Sequence, residues 1–246
     1  MSEQLFIEHY KNTDVEADNI IKAQRIAQDC LEYLKTFLRP GMTYEEIHEA
    51  CKDRMLAKGA ERFWTHEDPA LILFGDLSTY SAHEAPDLKN MIVQENDFIT
   101  VDVAPVMGNG WGDMARSYVM EKEKIIRYVD SDNQEIKEGL DFELYLHQEF
   151  IQFVNEETTF SGLHDYIEDL LKKHHYINLD YHGNFGHTIE KDPKDRVTII
   201  HGEDRKISEY NKPFTFEPHI CRVNGRYGIK HENMYFFHEG KILEVL

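Results

Sequence analysis

The stretch that most restricts what this chain can fold into runs from Asp97 to Met120: DFITVDVAPVMGNGWGDMARSYVM. Phe98, Ile99, Val101 and Val103 are apolar and β-favouring with period-two alternation, so a strand is predicted there. Asp102 lies inside that apolar run. A Gly-rich turn follows at Met107–Gly110, and a second strand begins near Asp113 and runs through Tyr118 and Val119. The pattern is a β-hairpin with one carboxylate on each arm. An ionised carboxylate among Ile, Val and Ala is costly unless an Arg, a proton or a metal ion compensates it. Arg116 offers a structural Asp102–Arg116 pair. A metal ion is the other reading, and this stretch alone leaves both open.

The rest of the chain supplies helices and a second hairpin. Residues 1–13 are expected as an arm or short strand. From about Asp14 to Leu38 the positions Ile20, Ala23, Ala27, Cys30, Leu31, Leu34 and Leu38 recur at helical spacing, and Pro40-Gly41 ends the run. Thr43 and Glu46 form a capping-box pattern ahead of the stripe Ile47, Ala50, Cys51 and Met55. Ala70–Phe74 is expected as a strand, followed by a polar loop containing His83. The charged segment 121–139 suggests an exposed hairpin around Asp130–Asn133. A third helix is expected at roughly 141–156 and a fourth from near Thr159 to near His174.

An internal repeat connects these parts. TYEEIHEACKDRMLAKG from Thr43 lines up with TFSGLHDYIEDLLKKH from Thr159, matching Tyr44 to Phe160, Ile47 to Leu163 and His48 to His164. Nearly the same offset carries Asp102 to Glu217, in the alternating strand FTFEPHI. Asn224-Gly225 then gives a hairpin turn, and the returning strand GIKHENMYFF carries Glu232. Two helices followed by a hairpin with paired acids therefore occur twice, over about 14–120 and 141–246. Between them, YHGNFGHTIE and IIHGED supply His182, His187 and His201. These histidines offer a metal ligand and substrate contacts.

Charge narrows the partners. With 46 acidic against 27 basic residues the net charge is -19, which argues against nucleic acid and anionic membrane surfaces. Three widely spaced cysteines, with no CxxC, suggest reduced thiols in a cytoplasmic protein. The first residues show no basic and apolar leader pattern, and no run has the length of a membrane-spanning helix. Four carboxylates and an imidazole form a hard donor set suited to Mn, Co, Fe or Zn. A pair of such ions activates water and clamps a carbonyl, which is hydrolytic chemistry.

In these motifs the chain resembles the M24 metallopeptidases, the group of methionine aminopeptidase, prolidase and aminopeptidase P. VDVAP with GDMAR resembles the family's paired aspartates, GHTIE its Gly-His motif, FTFEPHI its Thr-x-Glu-Pro strand and GIKHEN its closing Arg-x-Glu-Asp segment. The resemblance covers roughly residues 14–246. It implies an α+β pita-bread fold: two pseudo-symmetric ααββ halves with a curved antiparallel sheet covered by helices. A single domain over 1–246 with no separate N-terminal domain is expected. It implies two divalent metal ions, with Asp102 on one, Asp113 and Glu232 bridging, and His187 and Glu217 completing the second. Glu217 would also move the proton of the attacking water, and His83 would line the substrate pocket.

The departures bear on substrate. Lys230 stands where the family carries Arg, and Asn233 where it carries Asp. Thr188 and Glu190 replace glycines after the Gly-His. The second pocket histidine is missing from Lys191–Lys194, and His201 replaces it if residues 190–197 are an insertion. His201 and His219 are otherwise strand histidines bonded to a carboxylate of the site. FGDLSTYSAHEAPD looks more like the Xaa-Pro-cleaving branch than the methionine branch, whereas the chain length favours the methionine plan. The expected activity is an aminopeptidase acting on peptides, Xaa-Pro type favoured, with a homodimer left open. The alternatives are a creatinase-like C–N hydrolase and a non-catalytic binding protein; relatives of both kinds lose metal ligands that this chain keeps.

Overall fold

The computed structural model describes residues 2–64, 68–81, 86 and 88–246. His83 lies outside the described residues. The chain opens with helix α1 (Ser2–Tyr10), where an arm or short strand was expected. Phe6 and Tyr10 share one helical face, and Phe6 packs edge-on against Phe236, with ring centroids 5.1 Å apart. This tertiary contact selects a helix that the local pattern did not announce.

Helices α2 (Ala17–Phe37) and α3 (Tyr44–Ala57) follow at the expected places. Thr43 caps α3 in a complete capping box with Glu46. The strands of the first half are β1 (Arg62–Phe63), β2 (Leu71–Phe74), β3 (Asp97–Val103), β4 (Pro105–Met107), β5 (Gly110–Trp111), β6 (Met114–Glu121) and β7 (Lys124–Ile126). β2, β3, β6 and β7 form one antiparallel sheet in that order, and β1, β4 and β5 form a small one beside it. The predicted hairpin is β3–β6, with Asp102 opposite Ala115. The exposed hairpin is β6–β7, but it reverses at Lys122–Glu123, both at positive φ, and not around Asp130–Asn133. Asn133 instead caps α4 (Gln134–Phe153), which starts earlier than the expected 141.

The second half continues with α5 (Phe160–His174), β8 (Tyr176–Asn178), α6 (Ile207–Tyr210), β9 (Phe214–Phe216), β10 (His219–Arg222), β11 (Gly228–Lys230), β12 (Asn233–His238) and β13 (Lys241–Glu244). β11-β10-β8 and β13-β12-β9 are both antiparallel. Thr159 caps α5 as Thr43 caps α3, and both threonines make an isolated antiparallel bridge, to Lys206 and Ile92. Separate apolar clusters lie under α2 and α3 and under α4 and α5. The architecture is the α+β arrangement of helices over antiparallel sheets expected for the pita-bread fold. Among the described residues, no helix is long and apolar enough to cross a membrane.

The halves meet where the expected returning strand breaks, between β11 and β12. The Glu232 N–H donates to the Ala115 carbonyl at 3.2 Å, and Ser117 Oγ donates to the Lys230 carbonyl at 3.0 Å. Arg116 donates to the Ala115 and Glu232 carbonyls at 2.8 and 2.6 Å and to Asn233 Oδ1 at 2.6 Å. It therefore ties the two sheets together and is not the partner of Asp102.

Helix α2 lies directly on the hairpin turn. A Cβ built on Gly112 would stand 2.6 Å from the carbonyl carbon of Ala23, a contact with helix backbone that no side chain can relieve. Gly112→Ala is expected to lower unfolding free energy by about 1–3 kcal/mol through overpacking. Urea unfolding of the variant against the parent checks this; an unchanged midpoint would mean that α2 is not seated against this turn.

Candidate metal centre

Five acidic or imidazole side chains converge at the seam between the halves. Asp102 comes from β3, Asp113 from the link between β5 and β6, and Glu232 from the break between β11 and β12. One oxygen from each lies within 4.8 Å of the others. His187 Nε2 is 3.6 Å from Asp113 Oδ2 and 3.4 Å from Glu217 Oε1. The structure thus brings Asp102, Asp113, His187, Glu217 and Glu232 together.

Local geometry explains how each is held. Gln24 of α2, 1% exposed, clamps Asp113: its Nε2 donates to the Asp113 carbonyl at 3.0 Å and its Oε1 accepts the Asp113 N–H at 2.9 Å. Gly186 has φ +146°, and a Cβ there would lie 2.1 Å from the Thr215 carbonyl oxygen. Only glycine lets the His187 segment run this close to β9. The Thr215 N–H donates to the His187 carbonyl at 2.8 Å, and the Glu217 N–H donates to the Phe185 carbonyl at 2.9 Å. His187 Nδ1 faces the Thr188 carbonyl at 3.3 Å, which places the ring hydrogen there and leaves the Nε2 lone pair aimed at the carboxylates.

One lysine answers these acids. Lys230 Nζ is 2.6 Å from Asp102 Oδ2, 2.9 Å from Glu217 Oε2 and 3.4 Å from Glu232 Oε2. Burial alone would push the lysine pKa down, but the charges of Asp102, Glu232 and Glu217 raise it well above its ordinary value. Burial likewise raises Glu217, yet Lys230 and His187 more than offset it and bring that carboxyl down to about 2. Asp113 and Glu232 go the other way. Burial, then the neighbouring carboxylates, raises both well above the carboxylate range. His187 is pushed down, mainly by burial.

Glu232 is completely buried, and neither of its side-chain oxygens has a hydrogen-bond partner among the described residues. The Lys230 ammonium stands 3.4 Å from Oε2 but makes no hydrogen bond to it, and a buried carboxyl with no hydrogen bond is expensive unless a cation binds it directly. Four carboxylates and a neutral imidazole, with no thiolate, fit a divalent cation with oxygen and nitrogen preference. A second layer fixes the backbone at Glu232. His147 Nε2 donates to the His231 carbonyl at 3.0 Å, and Tyr235 donates its hydroxyl hydrogen to His147 Nδ1 at 2.7 Å.

Other sequence candidates fall elsewhere. His201 is at the surface with its side chain 76% exposed, and its Nδ1 lies 2.9 Å from Asp165 Oδ1. The reason is strand direction: residues 197–199 pair back along 185–188, so the chain leaves His187 behind before it reaches His201. His219 donates Nε2–H to the Ser78 carbonyl at 2.7 Å instead of bonding a carboxylate of the centre. His182 is exposed. Sequence reasoning missed the wall beside His187. Trp64 stacks on Trp111 at 4.7 Å and on His187 at 5.6 Å, with the Arg196 guanidinium 4.9 Å over Trp64. The signal was available, since these are the chain's two tryptophans and Trp111 sits inside the turn before Asp113.

The sequence profile of metallopeptidase family M24 matches residues 18–239. An uncharacterized peptidase of Staphylococcus epidermidis is 23% identical over 226 residues, covering 87% of this chain and 60% of the relative. A methionine aminopeptidase of Buchnera aphidicola subsp. Acyrthosiphon pisum is 24% identical over 229 residues, covering 85% of this chain and 78% of the relative. Among solved structures, an X-Pro aminopeptidase from Thermotoga maritima superposes with a TM-score of 0.76 at 18% identity. That superposition covers 100% of this chain and 64% of the other. The chain therefore spans less than two thirds of the Staphylococcus peptidase and of the Thermotoga enzyme.

The electrostatics yield a test. In chelator-treated protein, Lys230→Met removes the ammonium from the buried acids, and unfolding free energy should fall by about 3–5 kcal/mol. Glu232→Gln should raise stability under the same conditions, because it removes a buried acid whose oxygens accept no hydrogen bond among the described residues. Added Mn should stabilise the parent more than Glu232→Gln. Thermal unfolding with and without metal measures all three. Identical melting of Lys230→Met and the parent in chelator would show that the lysine compensates nothing.

Proposed function

The chain belongs to metallopeptidase family M24, and on that premise we propose that its centre hydrolyses the N-terminal peptide bond of peptides, with Xaa-Pro substrates preferred. The observation that carries this reading is the convergence of Asp102, Asp113, His187, Glu217 and Glu232, with the oxygens of the buried Glu232 left without a hydrogen-bond donor among the described residues. We propose two divalent ions, drawn from Mn, Co, Fe and Zn, as cofactors. Asp102 would hold one, His187 and Glu217 the other, and Asp113 and Glu232 both. Bound there, such ions would polarise the scissile carbonyl and lower the pKa of the attacking water.

The chain's own groups do the rest. Glu217 takes the proton of the attacking water and returns it to the leaving amine. Its carboxylate is aimed from both ends: Thr215 Oγ1 donates to Oε1 at 3.1 Å, and Lys230 reaches Oε2. His187, neutral through burial, keeps its Nε2 lone pair toward the centre. Stacked Trp64 and Trp111 form an aromatic wall suited to an apolar side chain or a pyrrolidine ring. His83 would hold the scissile amide.

The Xaa-Pro preference is supported by the FGDLSTYSAHEAPD stretch and by the likeness to the X-Pro aminopeptidase. Methionine-type cleavage is the second reading, favoured by the Buchnera relative, of which the chain covers 78%. Mn- or Co-loaded protein incubated with Met-Ala-Ser, Ala-Pro tripeptides and Xaa-Pro dipeptides separates them. Release of the residue before proline is expected, and Glu217→Gln should lose about 10²–10⁴-fold in rate. Preferential release of methionine would assign the second reading. Tight metal binding with no peptide cut would overturn the peptidase reading.

A further inference from the structure

A separate group of ligand-type side chains lies away from the seam. His164 on α5, its neighbour Asp165, and His201 each offer one donor atom, and the three atoms lie within 4.8 Å of one another. His164 Nδ1 is 3.2 Å and His201 Nδ1 is 2.9 Å from the same atom, Asp165 Oδ1. His164 Nε2 is 3.0 Å from the Gly183 carbonyl. A carbonyl only accepts, so Nε2 carries the ring hydrogen and, in the neutral imidazole, Nδ1 carries the lone pair. That lone pair then faces a carboxylate oxygen at contact distance, which is repulsive unless a proton or a cation lies between them.

We propose that His164, Asp165 and His201 form a second divalent-cation site, of zinc class, independent of the carboxylate centre. Two imidazole nitrogens and one carboxylate oxygen are borderline donors that suit zinc. Ligand distances of about 2.0–2.1 Å in a tetrahedron place donor atoms roughly 3.3 Å apart, close to the 3.2 and 2.9 Å that separate the two histidine nitrogens from Asp165 Oδ1. The backbone carbonyl behind His164 is the arrangement that fixes tautomer and ring orientation for a ligating histidine. Three protein ligands leave a fourth position for water. His164 is largely buried, whereas Asp165 and His201 are open to solvent, so an ion can enter without unfolding the site.

The placement gives the ion a task. The loop bearing His201 lies along the start of α5. The Gly202 N–H donates to Ser161 Oγ at 2.9 Å, and the Ser161 N–H donates to the Glu203 carbonyl at 2.8 Å. Ile199 pairs with Phe185 and Gly186 beside His187, and Gly183 lies in the loop just before that stretch. Zinc at this site links α5 to the loop after Ile199 and, through the His164 ring, to the loop before His187. It braces the segment that delivers His187 to the seam.

Equilibrium dialysis of the full chain against zinc, with bound metal counted by atomic emission, tests this. His201→Ala and Asp165→Asn should each bind one equivalent less than the parent and lose part of the zinc-induced rise in melting temperature. Both residues are exposed, so melting in chelator should be nearly unchanged. Glu217→Gln, which perturbs only the seam, should keep this equivalent. If His201→Ala binds as much zinc as the parent with the same melting shift, the proposal fails and the cluster is an ion pair of a protonated histidine. Loss of zinc from Glu217→Gln alone would leave the seam centre standing and overturn the second site.

Discussion

The seam holds four carboxyl groups against one ammonium, with Asp113 and Glu232 buried and Asp102, Glu217 and Lys230 partly so. Like charges at such distances repel strongly in a poorly polarisable interior. Much of the structure around them keeps them from separating. Gln24 holds the backbone of Asp113 from both its donor and its acceptor side. Arg116 holds the carbonyl of Glu232, and Ser117 holds that of Lys230. Gly186 brings His187 against β9 where any Cβ would collide. Hydrogen bonds to the main chain dominate this set because they fix side-chain origins without consuming the oxygens that point inward.

This requirement also explains why the halves join where they do. β3 and the link that leads into β6 supply carboxylates from the first half, and β9, β11 and β12 bound those of the second. A continuous β11–β12 strand would place Lys230 and Glu232 on one face but would not turn the Glu232 N–H to Ala115. The break at His231–Glu232 does so, and His147 with Tyr235 holds the broken backbone from beneath. The interruption is therefore part of how the centre is assembled, in keeping with irregular strand geometry near functional sites.

Much of this was legible because charge inside an apolar strand is conspicuous. Asp102 among Ile and Val, and Glu217 between Phe216 and Pro218, stand out at period two, and the repeat carries one to the other. The clamps were not legible, since Gln24 sits in an ordinary amphipathic helix and its partner is 89 residues away. The alternative of an Asp102–Arg116 pair stayed open for a related reason: neighbouring strand residues point to opposite faces, and proximity in sequence does not say which face a partner occupies. Helix α1 escaped because its apolar pair is completed by Phe236 at the other end of the chain. The β6–β7 reversal escaped because Lys122 and Glu123 adopt positive φ without the Gly or Asn that usually signals it. His201 was placed by counting along the chain, which cannot show that 197–199 run back along 185–188.

The two departures from the family's closing motif make sense as one change in how charge is handled. An ammonium donates in several directions from one atom, and Lys230 uses that to hydrogen-bond Asp102 and Glu217 while its charge stands 3.4 Å from Glu232. A guanidinium is a flat fork and matches paired acceptors in one plane, not three oxygens converging on a point. The flat fork is used nearby, where Arg116 spans the Glu232 carbonyl and Asn233 Oδ1. With asparagine at 233 that fork receives an amide oxygen and adds no fifth carboxylate to the seam. The compact cation therefore faces the acids, the planar one faces neutral oxygens, and Lys230 is the ammonium that offsets the carboxyl groups of the centre.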